Sequence, residues 1–196
     1  KITQMMMVDF RQWKTADDEA KSDFTKMNSE VQKIVEDYDF GSVIFFANNI
    51  KETEQSFDLT MDLQKAATKD NGIPLLITTD QEGGIVYRLG SGTALPGNMA
   101  LGATGDVNNA KIAGEIIGSE LSSLGINTTL APVVDVNNNA NNPVIGLRSY
   151  GEDAEMVGKM ASAEIEGLAE YNVIGCAKHF PGHGDTATDS HYGLPM

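Results

Sequence analysis

The sequence predicts an α/β fold of the TIM-like (β/α) barrel kind, covering roughly five β/α units, and three observations carry that expectation. Short apolar runs alternate with longer stretches of helical periodicity, and the short connections between them require a parallel sheet covered by helices. No G-x-G-x-x-G lies between a strand and a helix, so the phosphate loop of a dinucleotide-binding sheet is missing. A polar cluster instead follows three of the runs: Asp80-Gln81-Glu82-Gly83-Gly84, Asp135-Val136-Asn137 and Lys178-His179. Polar groups at the C-terminal ends of successive strands are where a barrel keeps its chemistry. An open doubly wound sheet satisfies the alternation too; the recurring clusters favour the barrel.

Residues 2–10 (ITQMMMVDF) are the first strand candidate, and a polar stretch runs on to about Asn28. Ser29 with Gln32 forms a capping-box pattern, and Val31, Ile34, Val35 and Tyr38 keep helical spacing until Gly41. Residues 43–47 (VIFFA) read as the second strand. Thr53 opens a helix with Phe57, Met61 and Ala66 on one side, closed by Asn71-Gly72, and Pro74 leads into the third strand, residues 75–80. Asp106 caps the next helix, whose apolar stripe is Val107, Ala110, Ile117, Leu121 and Leu124, and Gly125 ends it. Residues 128–136 (TTLAPVVDV) are the fourth strand; the asparagine-rich run behind them is loop, too short to separate domains. Residues 152–171 read as a long helix with Val157, Met160, Ala161, Ile165 and Leu168 inward, and residues 173–180 as a buried fifth strand.

With 196 residues the chain can bury a core of its own, and one domain over residues 1–196 is expected. Asp plus Glu outnumber Lys plus Arg by 28 to 14, and a net charge of −14 argues against nucleic acid as a partner, since binding it draws on clustered cations. There is no run of about 18 apolar residues, hence no predicted membrane span. The single cysteine, Cys176, excludes an internal disulfide framework and reads as a small apolar core residue of the fifth strand. The chain opens at Lys1 without an initiator methionine or a signal peptide, which predicts a segment removed ahead of it.

All three histidines, His179, His183 and His191, fall in residues 178–195 (KHFPGHGDTATDSHYGLP) together with Asp185 and Asp189. Histidine is the side chain that trades protons near neutral pH, so concentrating it in one Gly- and Pro-rich loop suggests chemistry. Three readings stay open from the residues alone. Asp189 can orient His191, which then gives and takes a proton. His179, His183, Asp185 and His191 can bind a metal such as zinc, although the spacing matches no specific ligand set. Or the loop is polar because it is exposed. A second cluster, residues 78–90, carries Asp80 and Arg88, a carboxylate and a guanidinium suited to holding vicinal hydroxyls. Arg148, in IGLRSYG, is either a pocket arginine or a surface one.

Taken together, KHFPGHGDT-x-x-DSH, DQEGG-x-V-x-R-L, APVVDV and G-x-RS-[YF]-G resemble glycoside hydrolase family 3, in its β-N-acetylglucosaminidase branch, from about Ile2 to Pro195. The β-glucosidase branch lacks the Asp-Ser-His turn and donates its proton from a glutamate elsewhere, so Asp189-Ser190-His191 points to the hexosaminidase branch. The resemblance implies a TIM-like barrel that cleaves terminal β-linked N-acetylglucosamine with retention, on cell-wall-derived or chitin-derived sugars as in peptidoglycan recycling. It implies His191 as the general acid/base and Asp189 as its orienting partner. Asp80, Arg88, Arg148, Lys178 and His179 match sugar-holding positions, and Asp135 supports that pocket. The implied partner is a small-molecule carbohydrate, with no metal or organic cofactor. The implied location is the bacterial cell envelope or outside the cell, alternatively the cytoplasm. A β-glucosidase-type hydrolase and a non-catalytic carbohydrate-binding fragment are the alternative functions.

One departure stands out. The family's nucleophile is an aspartate on a later strand, whereas this chain reaches Met196 after about five strands. A retaining enzyme needs a second carboxylate about 5 Å from its acid/base, and Asp80 and Asp135 do not match the nucleophile position. The expectation is a fragment that carries the acid/base and much of the sugar site, lacks the nucleophile, leaves an apolar edge open and is inactive alone.

Overall fold

The structure, a computed structural model, describes residues 2–195. The chain divides into one compact unit of Lys1–Asp80, Arg88–Gly92 and Leu121–Thr128, and another of Gln81–Tyr87, Thr93–Glu120 and Thr129–Met196.

In the first unit the leading apolar run splits: Thr3–Met5 is a 3-10 turn and only Met7–Asp9 is strand β1. What reads as a polar connection holds two short antiparallel strands, β2 (Gln12–Trp13) and β3 (Ser22–Asp23). They fold Trp13 and Phe24 around Phe10, with ring centroids 5.9 and 6.1 Å away. Helix α1 (Ser29–Tyr38) follows, then β4 (Ser42–Phe45), α2 (Thr53–Asn71) and β5 (Leu76–Thr79). Strands β1, β4 and β5 are parallel, with Val8 opposite Val43 and Val43 opposite Ile77.

Three helix details differ from the sequence reading. The N-cap of α1 is Asn28, whose side chain accepts from the Val31 N–H at 2.9 Å; Ser29 is already helical and Gln32 donates to Glu36. The left-handed residue behind α1 is Asp39, whereas Gly41 is small because the Gln4 carbonyl sits where a Cβ would be. In α2 the buried stripe is Ser56, Leu59, Thr60, Leu63, Ala66 and Ala67, while Phe57 and Met61 lie toward solvent. Burial of the two hydroxyls is tolerated because each is bonded: Ser56 donates to the Glu52 carbonyl and Thr60 to that of Leu124, at 2.8 and 2.7 Å.

The second unit holds α3 (Asn98–Ala103) and most of α4 (Val107–Ser123), whose first turn is capped by Asp106 accepting from the Asn108 N–H at 3.0 Å. Strand β6 is only Thr128–Thr129, beginning in the first unit and ending in the second, followed by α5 (Ala154–Ala169) and β7 (Ile174–Gly175). Pro132 has no N–H and interrupts the ladder behind β6. Pairing resumes at Val133, and the Val134 N–H donates to the Lys178 carbonyl at 2.7 Å. The five-stranded sheet has the order β1-β4-β5-β6-β7, the order of an incomplete (β/α) barrel, and β2 and β3 pair apart from it.

Cys176 is exposed, against the expectation of a core residue. Pleating explains it: a Cβ at Gly175 would lie 3.1 Å from Ile165 and Leu168 of α5, so Ile174 and Cys176 face the other way. A continuous apolar run does not by itself say which faces are covered. Among the described residues no helix is long and apolar enough to cross a membrane.

The core of the second unit is Leu101, Ala110, Ala113, Tyr150, Val157, Met160 and Ala161. Helices α4 and α5 touch backbone to backbone: a Cβ at Gly114 would lie 2.2 Å from the Glu164 carbonyl, and one at Gly167 2.2 Å from that of Lys111. Into this contact α5 places Glu164, 1% exposed, which accepts a hydrogen bond from the Tyr150 hydroxyl. Burial pushes its carboxyl up to about 7; the Tyr150 bond opposes the shift and the nearby Glu82 charge adds to it.

A carboxyl raised by folding stabilises the fold fully below its ordinary value of 4.5, and that contribution is lost as the pH rises through about 7. Urea midpoints of the wild type and Glu164→Gln at pH 5 and pH 8 check this. The wild type should lose stability relative to the variant at the higher pH; an equal difference at both would show that Glu164 does not titrate.

Candidate active site

The second unit builds its polar centre on two buried carboxylates. Asp135 stands at the end of the extended segment behind β6, and its carboxylate is wholly buried. One oxygen accepts from His179 Nδ1–H at 2.6 Å and the other from the His183 backbone N–H at 2.6 Å. Burial opposes its ionisation, yet the bonds from His179 and His183 hold its carboxyl below the usual range. The placement follows from the ladder: Val133 pairs with Lys178, which sets the next residues of the two segments side by side.

Glu82 is the other carboxylate. It sits at the start of a tight turn through Gly83 and Gly84, both at positive φ, closed by the Glu82 N–H donating to the Val86 carbonyl. Arg148 grips it with two bonds, Nε at 2.9 Å and Nη2 at 2.8 Å, and Lys178 Nζ lies 2.6 Å from the same oxygen as Nη2. Arg148 ends a 3-10 turn, Gly146–Arg148, fixed from both sides: Asn98 donates to the Arg148 carbonyl, and Ser149 Oγ to that of Asp135 at 2.6 Å. Nη2 of Arg148 is also 3.4 Å from His179 Nε2, so the two carboxylates belong to one chain of contacts, Glu82–Arg148–His179–Asp135. A cavity of about 310 Å³, mostly apolar and including Gly84, Gly97, Asn98 and Leu147 in its wall, adjoins Glu82 and Arg148.

The rest of the histidine loop continues from this centre. His183 is buried, its ring held between Thr186 Oγ1 and Ser190 Oγ, the latter at 3.2 Å. A Cβ at Gly184 would meet the Val136 carbonyl at 1.9 Å, so only glycine lets the loop lie this close. At the tip, Asp189 Oδ1 accepts from both the backbone N–H and Nδ1–H of His191, at 2.9 and 2.6 Å. These bonds, the backbone one foremost, hold the Asp189 carboxyl below its ordinary value. The His191 side chain is 74% exposed, and with Nδ1 engaged its Nε2 is the nitrogen left to meet a ligand.

The sequence-predicted residues thus fall into defined groups. Asp135, Arg148, Lys178 and His179 come together, with His191 against Asp189 on the same loop. Asp80 and Arg88 pair in the first unit at 3.5 Å, where Phe46 lies 5.8 Å from the guanidinium carbon. The tetrad considered for a metal does not converge: among the described residues no three such side chains are grouped for an ion. The rings of His179 and His183 instead stand perpendicular with centroids 6.0 Å apart. Glu82 is not among the site residues that the sequence singles out, and His183 enters there only as a member of the metal tetrad. The signal for Glu82 was its place in DQEGG, a carboxylate directly before a double-glycine turn.

Removing Glu82 would leave the Arg148 and Lys178 cations facing each other without it. Glu82→Ala should therefore cost about 3–5 kcal/mol in urea unfolding, with Glu82→Gln losing less. A loss below about 1 kcal/mol for the alanine variant would mean that the cluster does not organise this unit.

The glycosyl hydrolase family 3 N-terminal domain profile matches residues 1–196. A curated relative, beta-hexosaminidase A of Pseudoalteromonas piscicida, is 43% identical over 205 aligned positions, which take in 99% of this chain and 34% of the relative. Among solved structures, the family 3 β-N-acetylglucosaminidase of Paenibacillus sp. str. FPU-7 superposes with a TM-score of 0.89 at 42% identity, over 99% of this chain and 35% of that one. NagZ of Neisseria gonorrhoeae in complex with N-trifluoroacetyl-D-glucosamine does so with 0.81 at 32% identity, over 96% of this chain and 53% of that one. The chain spans about a third of the length of the first two proteins and about half of the third. Matched along its whole length, it belongs to the glycosyl hydrolase family 3 N-terminal domain family.

Proposed function

We propose that this chain is the N-terminal portion of the catalytic barrel of a retaining β-N-acetylglucosaminidase, which removes terminal β-linked N-acetylglucosamine from cell-wall-derived or chitin-derived sugars. The observation that carries this reading is the Asp189–His191 pair: an exposed imidazole held at 2.6 Å by a carboxylate, on a loop rooted in the Asp135 centre. Similarity to proteins named beta-hexosaminidase and β-N-acetylglucosaminidase supports the choice of sugar.

In the first step the His191 imidazolium gives its Nε2 proton to the glycosidic oxygen as that oxygen leaves, and a carboxylate attacks the anomeric carbon to form a glycosyl-enzyme. In the second step neutral His191 takes a proton from water, whose oxygen displaces the carboxylate and releases the sugar. Asp189, held ionised by its two bonds from His191, faces the ring through both steps and stabilises its cation. Asp80 is engaged with Arg88, and Asp135 is buried under His179 and His183. On the resemblance to glycoside hydrolase family 3, the attacking carboxylate is assigned to an aspartate on a later strand of the barrel, and neither Asp80 nor Asp135 is given that role.

In the second unit Arg148, Lys178 and His179 are read as holding sugar hydroxyls, with Asp135 fixing His179 in one orientation; Asp80 and Arg88 are the sugar-holding candidates of the first unit. Glu82 matters for this task. A guanidinium and an ammonium shared with a buried carboxylate still offer N–H donors to hydroxyls while carrying less net positive charge. The steps involve proton transfer and a carboxylate, and the proposal includes no metal or organic cofactor. We place the activity at the bacterial envelope or outside the cell, with the cytoplasm as the alternative.

The test is hydrolysis by the full-length protein. His191→Ala should lower kcat/KM on N,N′-diacetylchitobiose about 10²–10⁴-fold. It should lower kcat/KM much less on the 2,4-dinitrophenyl glycoside, whose leaving group needs no proton. Equal loss on both substrates, or none on either, would remove His191 from the acid/base role.

A further inference from the structure

Asn142 closes the asparagine-rich run that the sequence offers only as loop, yet its side chain uses every hydrogen-bonding position an amide has. Nδ2 donates to the His183 carbonyl at 2.6 Å and the Thr186 carbonyl at 3.0 Å, both in the histidine loop. Oδ1 accepts from the Val144 N–H at 2.9 Å and the Ile145 N–H at 2.7 Å. Those two residues lead into the turn of Arg148: the Ile145 carbonyl accepts from the Arg148 N–H at 2.8 Å, and the Val144 carbonyl from Arg148 Nη1 at 3.3 Å. On the loop side, the ring of His183 reaches Ser190, which lies between Asp189 and His191. A weaker link runs beside it, from Asn139 Nδ2 to the Asp185 carbonyl at 2.9 Å.

From this geometry we propose that Asn142 is a positioning residue for the reaction read above. It ties the loop that carries the Asp189–His191 pair to the turn that carries Arg148, so that the proton donor and a sugar-holding guanidinium keep one spacing. The inference rests on the proposed glycosidase reading for its kinetic consequence, but not for its structural one. Aspartate has the wrong half: it keeps an oxygen for Val144 and Ile145 but turns a second oxygen toward the His183 and Thr186 carbonyls. Glutamine has the right groups one methylene too far away.

Asn142→Asp therefore releases the loop while leaving the arginine turn bonded, and Asn142→Ala releases both. In the full-length protein, with N,N′-diacetylchitobiose, whose leaving group needs the proton, Asn142→Asp should lower kcat at least about tenfold with KM within about threefold, since small displacements of a catalytic group are costly. Asn142→Ala should lower kcat and also raise KM. Asn141→Asp adds the same charge next door at an exposed position and should change neither. Hydrogen–deuterium exchange on the same proteins should show protection lost over residues 184–191, beyond the His183 N–H that Asp135 holds, in the aspartate variant and retained over 144–149, with both lost in the alanine variant.

Wild-type kcat in Asn142→Asp, the same kinetic pattern in both variants, or unchanged exchange in the loop would each overturn the proposal. If the full-length wild type hydrolyses no glycoside, the functional reading fails. The exchange pattern then decides on its own whether Asn142 joins loop to turn. Should the alanine variant not fold, the aspartate variant and its neighbouring control carry the decision.

Discussion

Asp135 puts a whole carboxylate out of reach of water, and the histidine loop is arranged around that fact. Taking an ion of this kind out of water costs several kcal/mol unless its oxygens are fully bonded. Here each oxygen receives a 2.6 Å bond, one from the His179 ring and one from the His183 backbone. The bonds outweigh the burial, since the carboxyl is held below rather than above its ordinary value. Both donors lie on the strand-to-loop junction, so any excursion of that junction would leave a buried charge unsatisfied. The loop root is rigid for that reason, whatever its glycines and prolines would allow.

The loop tip obeys a different balance. Asp189 and His191 are bonded as closely as Asp135 and His179, but the His191 ring is mostly in water, which competes for the same bonds and screens the contact. The same chemical pairing is therefore an anchor in one place and an easily adjusted contact in the other. Under the proposed glycosidase reading, an acid/base would benefit from the second condition and sugar-holding groups from the first. Glu82 supplies the first condition to Arg148 and Lys178, whose side chains are 11% and 14% exposed.

Close backbone approach is the second recurring constraint. Gly114 and Gly167 bring α4 and α5 together, Gly102 lets α3 reach the Tyr150 carbonyl, and Gly184 sets the loop on Val136. Each contact puts a carbonyl where any other residue would have its Cβ. Crowding of this kind costs about 1–3 kcal/mol or more when a methyl group is forced in. The alignment of α5 matters for the site because Glu164 holds Tyr150, two residues behind Arg148.

Much of this was legible along the chain. Residues 43–47 and 75–80 read as strands, and the shorter β4 (Ser42–Phe45) and β5 (Leu76–Thr79) fall on them, because largely buried parallel strands are near-continuous apolar runs that no helix period explains. Asp106 and Gly125 bound α4 by local capping chemistry, which needs no tertiary information. The pairing of Asp189 with His191 was equally local, two residues apart on one turn. Where the sequence reading missed, a distant partner decided. The burial of Thr60 depends on the Leu124 carbonyl, and the exposure of Cys176 depends on which face of β7 meets α5. Glu82 is one acidic residue among 28 until folding brings it Arg148 and Lys178 from 66 and 96 positions away. Sequence by itself determined the alternation of elements, their caps and the concentration of proton-transfer groups in one loop, since these depend on neighbours along the chain. Only the tertiary structure decided which carboxylates are buried and what neutralises them, because the cost of burying a charge depends on partners that the chain order does not name.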